Sequence, residues 1–425
     1  MTDNYGSTVH CVSTLSEVQN IETALQKRSV RVILTRLILR VKLLALNFII
    51  SFIRRLWFSP FSPDDSEPPS IVIYAHGTLG DHVVHLPALV AIRERFLHSA
   101  ITLVTYSGNF PISAIVGGTR IADTIITLSD HPVARAGRIF HYTDKRLEKI
   151  RCDLFINFSP FGNRGVLGFL MREMIFARKL GARSVCGFRM NFFDRSGTHN
   201  DVRHYFVRNE PRRAAAVLRE INIEIESMRD YLPHSEIEKA KVLELLQSQR
   251  AANQPIVVLN PGAKLAYQYW SPERYGDIAR WLLQTYNACV VVNGTDSESP
   301  LVEKVVAASG NAAVNFAGTV TVQGLIELVR LSALCVTNNT GTMHVAAAVG
   351  TPTVALFGTR WTPTQWFPLS LKVRVLFSFS SSSYIYADDN QPDETLMNIR
   401  VEDTQHAIMD LVAQEKLFDK PKEGR

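Results

Sequence analysis

The 425-residue sequence predicts an α/β protein with two Rossmann-like β/α/β domains behind a basic, hydrophobic N-terminal helical extension. Two observations support this class. Short apolar segments alternate with helical patterns along two stretches of the chain, which is typical of a mostly parallel sheet covered by helices on both faces. Polar residues are also concentrated where a strand turns into a helix, at helix N-termini that suit a phosphate or pyrophosphate.

Composition places the chain among globular proteins that contain more than one buried core. Hydrophobic residues make up 46% and charged residues 20% of the sequence. Five cysteines, at positions 11, 152, 186, 289 and 335, show no C-x-x-C spacing. We therefore expect no disulfide framework and no metal site, and a reducing, cytoplasmic compartment fits this cysteine usage.

The net charge of +6 originates in one short segment. Residues 27–55 contain eight Lys and Arg side chains and no acidic residue, so the remainder of the chain is slightly acidic. These eight are Lys27, Arg28, Arg31, Arg36, Arg40, Lys42, Arg54 and Arg55. The distribution argues against a nucleic-acid partner for the body of the protein.

Residues 1–66 are predicted to form an extension, in which 1–26 are a loose lead and 31–58 a helix. The longest charge-free run, 43–53, is shorter than the roughly 20 apolar residues that cross a bilayer, and it does not resemble a signal peptide. Because cations flank this run, we favour an interfacial helix on an anionic membrane surface. The alternative is packing on its own protein or on a partner subunit. A proline-rich linker follows.

The first globular domain is predicted at 67–230. Its strands are expected at 71–74, 101–106, 124–128 and 153–158, and its helices at 83–96, 144–150, 164–179 and 211–228. Between the first strand and its helix, residues 75–81 read Ala-His-Gly-Thr-Leu-Gly-Asp. Glycines in such a loop permit close approach of a ligand to the backbone.

An interdomain helix or linker is predicted at 231–253, the second domain at 254–395, and a C-terminal helix and tail at 396–425. Strands are expected at 256–260, 289–293, 313–316, 334–338 and 353–357. Helices are expected at 272–286, 301–308, 323–331 and 401–417, and a further helix connects the last two strands. Ser271 is a natural N-cap, with Pro272 at the first helical position.

Residues 338–342, Asn-Asn-Thr-Gly-Thr, form the polar turn between a strand and a helix that we call the elbow. Its backbone N–H groups and the hydroxyls of Thr340 and Thr342 are expected to converge at the positive end of a helix. An anion site or an ordinary helix cap both explain this composition.

Four motifs, taken together, resemble glycosyltransferase family 9, the bacterial lipopolysaccharide heptosyltransferases. They are Gly-Thr-Leu-Gly-Asp at 77–81 with Pro-Ala-Leu at 87–89, Asn-Pro-Gly-Ala at 260–263, Trp-Ser-Pro-Glu-Arg-Tyr at 270–275, and Thr-Asn-Asn-Thr-Gly-Thr-Met-His at 337–344 with Ala-Leu-Phe-Gly at 355–358. The resemblance covers residues 70–415 in order and leaves the N-terminal extension outside.

The resemblance implies a GT-B fold, with the acceptor bound by the first domain, the nucleotide sugar by the second, and reaction in the cleft between them. It also implies inversion at the anomeric carbon without a metal ion or other cofactor. Asp81 matches the family's proposed general base, and a carboxylate at the tip of a strand-to-helix loop suits that role. The competing interpretation is that Asp81 caps a helix.

The remaining candidate residues fall into two sets. The donor set is Pro261, Gly262, Lys264, Glu298, Asn339, Thr340, Gly341, Thr342 and His344. The acceptor set is His76, Gly77, Thr78, Gly80 and His85, with His82 nearby. Glu298 matches a position that the family associates with the nucleotide ribose, although an exposed loop acid explains it equally well. Each histidine taken alone is explained by local packing.

Two positions depart from the family pattern. Asn339 stands where the family usually has Asp, and Gln268 where it usually has Lys. Both changes concern the donor side, and Lys264 or Arg274 is a candidate replacement for the lost cation. We therefore expect a heptose or a related sugar, and the resemblance favours an ADP-linked donor.

The expected partners are a nucleotide sugar and a lipid-linked or other cell-envelope glycan acceptor, at the cytoplasmic face of the inner membrane. A catalytically silent nucleotide-sugar-binding homologue is the first alternative. A dinucleotide-dependent oxidoreductase is the second, but the first loop lacks a full G-x-G-x-x-G motif and no acidic residue ends the strand at 101–106.

Overall fold

The computed structural model describes most of the chain. The described residues are 9–14, 16–18, 20–21, 30–62, 67–106, 112–117, 119–136, 139–159, 166–188, 209–225, 230–247, 254–263, 268–358, 366–368, 370–378 and 394–418. The chain divides into two compact units, Ile21–Tyr231 and Met1–Asn20 with Leu232–Arg425. The segment 1–66, predicted as one extension, is thus shared between the two units. Lys264 lies outside the described residues.

The strands are β1 (Val9–Val12), β2 (Ile71–Tyr74), β3 (Ile101–Tyr106), β4 (Thr124–Leu128), β5 (Val133–Ala136), β6 (Ile139–Tyr142), β7 (Leu154–Asn157), β8 (Ser184–Cys186), β9 (Ile256–Asn260), β10 (Cys289–Val292), β11 (Val314–Asn315), β12 (Leu334–Asn338), β13 (Thr353–Phe357) and β14 (Val373–Ser378).

The helices are α1 (Val30–Trp57), α2 (Leu79–Arg95), α3 (Ser113–Val116), α4 (Val166–Lys179), α5 (Glu210–Arg219), α6 (Glu236–Gln247), α7 (Pro272–Tyr286), α8 (Ser299–Ala308), α9 (Val322–Arg330), α10 (Gly341–Val349), α11 (Glu394–Met397) and α12 (Val401–Glu415). Short 3-10 turns occupy Lys145–Lys149 and Asp296–Glu298.

In the unit Ile21–Tyr231 a five-stranded sheet has the order β4-β3-β2-β7-β8, and all of its pairs are parallel. The central strand β2 is buried along its whole length. The antiparallel hairpin β5–β6 and the edge strand β8 were not predicted. They are three or four residues long, so they carry too few positions to show a periodic pattern.

Helix α2 begins at Leu79, four residues earlier than predicted, which places Gly80 and Asp81 in its first turn. Thr78 is the N-cap, and Asp81 completes a capping box with it. The helix expected at 211–228 is shorter, ending at Arg219.

The second unit contains a seven-stranded sheet in the order β1-β14-β13-β12-β9-β10-β11. The described pairs of this sheet are parallel except for β1, which is antiparallel to β14 from Val9↔Ser378 to Val12↔Val375. The prediction of a loose lead over 1–26 is therefore wrong for Val9–Val12. Its partner β14 was not predicted either, so there was no predicted sheet edge for this strand to join.

Helix α1 is continuous from Val30 to Trp57, and its C-terminal half packs on the first unit. Ile50 is buried, and Leu46, Ile53 and Trp57 pack against the same core. Arg54 donates a hydrogen bond to Glu220 at 2.8 Å. Within the part of the chain that the structure describes, no helix is both long enough and apolar enough to cross a membrane.

Candidate active site

The elbow joins β12 to α10 in the second unit, and its helix begins without a side-chain cap. Thr340 is the N-cap residue, but its hydroxyl bonds no helix amide and instead lies 3.3 Å from the hydroxyl of Thr337. By contrast, Ser271 caps α7 and Thr321 caps α9 in the usual way. The Met343 N–H donates to Thr340 O at 3.1 Å, whereas the amides of Gly341 and Thr342 receive no cap from the Thr340 hydroxyl. An uncapped helix N-terminus of this kind suits an anion.

Three asparagines stand at the carboxyl ends of three neighbouring parallel strands, Asn260 on β9, Asn293 after β10 and Asn338 on β12. All three are buried. Asn293 Nδ2 donates to Asn260 Oδ1 at 3.0 Å, and Thr342 Oγ1 donates to the same oxygen at 3.2 Å. Asn260 thus connects the elbow helix to the end of β10.

Asn338 holds the Asn-Pro-Gly-Ala loop in place. Its Nδ2 donates to the carbonyl oxygen of Pro261 at 2.7 Å, and its Oδ1 accepts from the Tyr275 hydroxyl at 3.0 Å. Sequence reasoning did not assign a role to Asn293, Asn338 or Tyr275. The recurrence of Asn at the end of successive predicted strands was the signal that identifies two of them, because those ends meet at one edge of a parallel sheet.

Glu298 lies directly against Gly262. A Cβ atom at Gly262 would stand 2.1 Å from Glu298 Oε1, so only glycine permits this approach. The other carboxylate oxygen, Oε2, accepts hydrogen bonds from Thr295 N at 2.7 Å and Thr295 Oγ1 at 2.9 Å. Burial, with a smaller effect from the Glu298 charge, raises the pKa of the nearby Tyr269 hydroxyl.

His344 is buried one turn into α10. Burial lowers the pKa of this imidazole to about 4, so the ring is neutral near pH 7 and offers a hydrogen bond rather than a charge. Its edge faces the Trp366 ring, with centroids 5.9 Å apart. Arg274 does not replace the cation that the family usually has at the position of Gln268. Its Nη1 donates to the carbonyls of Met397 and Ile399 at 2.6 and 2.7 Å and anchors the start of α12.

Asn339 and Gly341 are half-buried at the elbow. The Asn339 backbone N–H donates to Leu356 O at 3.1 Å. Its side chain makes no hydrogen bond to any residue that the structure describes, so the amide is available to a ligand.

In the first unit, Asp81 occupies the first turn of α2. Its Oδ2 accepts hydrogen bonds from Thr78 N at 2.6 Å and Thr78 Oγ1 at 2.9 Å. Gly77 has φ +148°, and a Cβ there would lie 2.4 Å from Asp81 Cγ. Burial raises the pKa of the Asp81 carboxyl, and the bonds from Thr78 oppose this. The two interpretations of Asp81, as a helix cap and as a general base, are thus compatible, because the cap uses only Oδ2.

The histidines near Asp81 have different positions. His76 is half-buried beside Gly77, with Nε2 2.5 Å from Ser159 Oγ, and burial lowers its pKa to about 3. His82 is buried, which lowers its pKa to about 3 as well. His85 has no exposed surface and bonds Glu210 Oε1 at 3.1 Å. We therefore assign His85 to the support of α2, whereas His76 keeps part of its surface exposed.

A buried ion pair completes this support. Glu210 Oε1 accepts from Arg213 Nε at 2.8 Å and Nη2 at 2.6 Å, and Nη2 also donates to Phe158 O at 2.6 Å. Burial alone would raise the pKa of Glu210, but Arg213 and His85 lower it to about 2. Within the described ranges, no group of three or more His, Cys, Asp and Glu side chains is arranged to hold a metal ion.

The sequence model of glycosyltransferase family 9 (heptosyltransferase) matches residues 175–390, half of the chain, including the elbow, Asn260 and Glu298. The chain belongs to glycosyltransferase family 9. Asp81 and the rest of the first loop lie outside the matched residues, so their roles depend on the site geometry and the motif.

A curated protein of similar sequence is also a heptosyltransferase. Lipooligosaccharide heptosyltransferase 2 of Haemophilus influenzae is 29% identical over 160 residues, which are 36% of this chain and 46% of that protein. The chain therefore spans less than half the length of this curated relative.

Among solved structures, a glycosyltransferase family 9 protein of Veillonella parvula matches 83% of this chain and 99% of its own, with a TM-score of 0.63 at 21% identity. The Escherichia coli ADP-heptose lipopolysaccharide heptosyltransferase II matches 82% and 99%, with a TM-score of 0.59 at 18% identity. These similarities confirm the predicted GT-B fold class.

Proposed function

We propose that this protein is an inverting, metal-independent glycosyltransferase that moves a heptose or related sugar from a nucleotide diphosphate to a cell-envelope glycan. The observation that carries the proposal is the uncapped N-terminus of α10, where Thr342 bonds Asn260 and the adjoining Asn338 bonds the Pro261 carbonyl. A nucleoside diphosphate is the ligand that this arrangement of amides and hydroxyls suits best.

The elbow stabilises the leaving group. When the bond between the sugar C1 and the diphosphate oxygen breaks, the electron pair departs with the diphosphate and its negative charge grows. The amides of Gly341 and Thr342, the Thr340 hydroxyl and the positive end of α10 stabilise that charge. Because His344 is neutral, its contribution is a hydrogen bond.

Glu298 and the loop of Pro261 and Gly262 bind the nucleoside. The carboxylate is held against the Gly262 backbone by Thr295, with Oε1 left for the hydroxyls of a ribose. ADP is the expected nucleotide, since the Escherichia coli structure similar to this chain is described as an ADP-heptose enzyme.

Asp81 is the general base. Its carboxylate accepts the proton of the acceptor hydroxyl while that oxygen forms the new bond to C1 on the face opposite the leaving diphosphate. A pKa raised by burial brings the carboxyl closer to the working pH, which strengthens it as a base. Thr78 holds the carboxylate through two hydrogen bonds, and Gly77 lies directly against it. Gly80 and the neighbouring His76 complete the loop proposed to contact the acceptor.

The acceptor is a lipid-linked or other envelope glycan, and the protein acts at the cytoplasmic face of the inner membrane. The donor sugar is set partly by Asn339, whose amide hydrogen-bonds hydroxyls without adding the negative charge that Asp brings to the family. This difference favours a sugar related to heptose over the standard heptose itself.

The test supplies the full chain with ADP-, UDP- and GDP-linked heptoses and hexoses and a lipopolysaccharide-core acceptor, and measures transfer and nucleotide diphosphate binding by calorimetry. Wild type is expected to transfer one sugar with release of ADP, and Asp81→Asn to bind ADP normally with little transfer. Binding without transfer in both proteins would instead identify a catalytically silent homologue. Absence of binding and of transfer would refute the donor site.

A further inference from the structure

Helix α1 carries two apolar faces, and only one of them is covered. The inner face, with Ile50, Leu46, Ile53 and Trp57, packs on the core of the first unit. The guanidinium of Arg178 lies 5.3 Å from the Trp57 ring centroid, and Arg54 pairs with Glu220. These contacts hold the C-terminal half of α1 in a defined orientation.

The outer face is a continuous apolar stripe that faces solvent. Its side chains recur every three or four residues, so they align along one side of the helix opposite Ile50. They are Val41, Leu44, Phe48, Phe52 and Leu56, all exposed, with Phe48 at 73%. Ile49 lies at the edge of this outer stripe and is also exposed. Large apolar residues in a row on a fixed helix indicate an interaction surface.

Charge decides which partner fits this surface. Residues 27–55 contain eight basic residues and no acidic one, and Arg55 is exposed on α1 between Phe52 and Leu56. Symmetric pairing of two outer stripes would bring these basic segments of two copies together, at an electrostatic cost. An anionic bilayer combines the two attractions, since apolar side chains enter the acyl boundary and cations contact lipid phosphates.

We propose that the outer stripe of α1 is the surface by which this protein lies on an anionic membrane. The inference deepens the proposed location by naming the side chains that make the contact. With the inner face bound to the first unit, binding through the stripe brings that unit to the lipid surface. Membrane binding and sugar transfer are separate measurements, so failure of one leaves the other informative.

The test is sedimentation of the full chain with vesicles of phosphatidylcholine alone and of phosphatidylcholine mixed with phosphatidylglycerol. Wild type is expected to bind the mixed vesicles in low salt and less in high salt. The double variant Phe48→Asp with Phe52→Asp should lose vesicle affinity by at least about tenfold. Arg55→Glu should weaken binding and reduce its salt dependence.

Leu97→Asp is the matched control, because Leu97 is 66% exposed in the same unit but outside α1. It should bind vesicles like wild type, and circular dichroism melts should show that all variants are folded. The proposal is overturned if wild type does not sediment with anionic vesicles, or if the Phe48 and Phe52 variant binds as well as wild type. It is also overturned if that variant only converts a wild-type dimer to a monomer in analytical ultracentrifugation.

Discussion

Asp81 Oδ2 accepts two hydrogen bonds from Thr78, from the backbone nitrogen at 2.6 Å and the hydroxyl at 2.9 Å. The same residue pair therefore begins helix α2 and orients the proposed base. Because Gly77 packs on the carboxylate, the Asp81 side chain has little freedom to leave this position. Structural and catalytic effects of this loop are therefore separable by substituting each partner in turn.

Thr78→Val should affect stability more than chemistry, and Asp81→Asn the reverse. Loss of the Thr78 hydroxyl weakens the cap and should lower the free energy of unfolding by about 1 kcal/mol, measured in urea. Asp81→Asn keeps an acceptor oxygen for the cap but removes the base, so kcat should fall by at least about 100-fold. Equal losses of kcat in the two variants would show that Asp81 acts only as a cap.

The pH dependence of transfer should report the raised pKa of Asp81. The base must be ionised, so kcat/KM should fall on the acid side with a midpoint above 3.8, the ordinary pKa of Asp. Thr78→Val removes a bond that favours the carboxylate and should move this midpoint to higher pH. A midpoint that is the same in both proteins would assign the acid limb to another group.

The same raised pKa has a consequence for stability. Because the pKa of Asp81 is raised by folding, the folded protein binds this proton more tightly than the unfolded chain does. The resulting contribution to the free energy of unfolding is fully present below the ordinary pKa of 3.8 and is lost as pH rises through the folded pKa.

The ion pair of Glu210 and Arg213 should be a large contributor to the stability of the first unit. Arg213→Met leaves Glu210 buried beside His85 without its main partner and should lower the free energy of unfolding by about 3–5 kcal/mol. Arg219→Met on the same helix is the control, because the Arg219–Glu224 pair is exposed and should change stability by less than about 1 kcal/mol.

The pair also predicts an acid transition. The folded pKa of Glu210 is about 2 against an ordinary 4.5, so its stabilisation is present above pH 4.5 and is lost as pH falls toward 2. Glu210→Gln should reduce the slope of unfolding free energy in this range. An unchanged slope would contradict the paired state of Glu210.

Gly262→Ala should weaken nucleotide binding. The added methyl group must displace the Glu298 carboxylate, so we expect the Kd for ADP to rise about tenfold. The free energy of unfolding should change by about 1 kcal/mol or less. Gly168→Ala on α4 is the control, since no atom lies within 4 Å of its added Cβ. Calorimetric titration with ADP measures both. An unchanged Kd in Gly262→Ala would exclude Glu298 from the nucleotide site.

Asn339→Asp should shift the choice of donor. It restores the acid that the family usually has at the elbow, and kcat/KM for ADP-heptose should rise relative to the donor that wild type prefers, by about tenfold or more. Asn311→Asp, at a left-handed turn after α8, is a control for the added charge. If the ratio of the two donors is the same in wild type and in Asn339→Asp, this position does not select the sugar.

The sequence alone was sufficient for the class of fold and for the position of the elbow. Strands such as β2, β9 and β12 are buried on both faces, and parallel strands of that kind appear as continuous apolar runs that a local pattern reveals. The elbow motif contains its own turn and helix start, and the family model later matched the region around it.

Only the tertiary structure decided which of these residues meet. Asn260 bonds Thr342 across 82 positions of sequence, and His85 bonds Glu210 across 125. Val9–Val12 finds its partner at β14, more than three hundred positions away. Such contacts depend on strand order and register, which are set by packing of whole elements. Local periodicity contains no information on them, so His85, which is buried against Glu210, and His76, which is half-buried beside Ser159, appeared equivalent until the chain was folded.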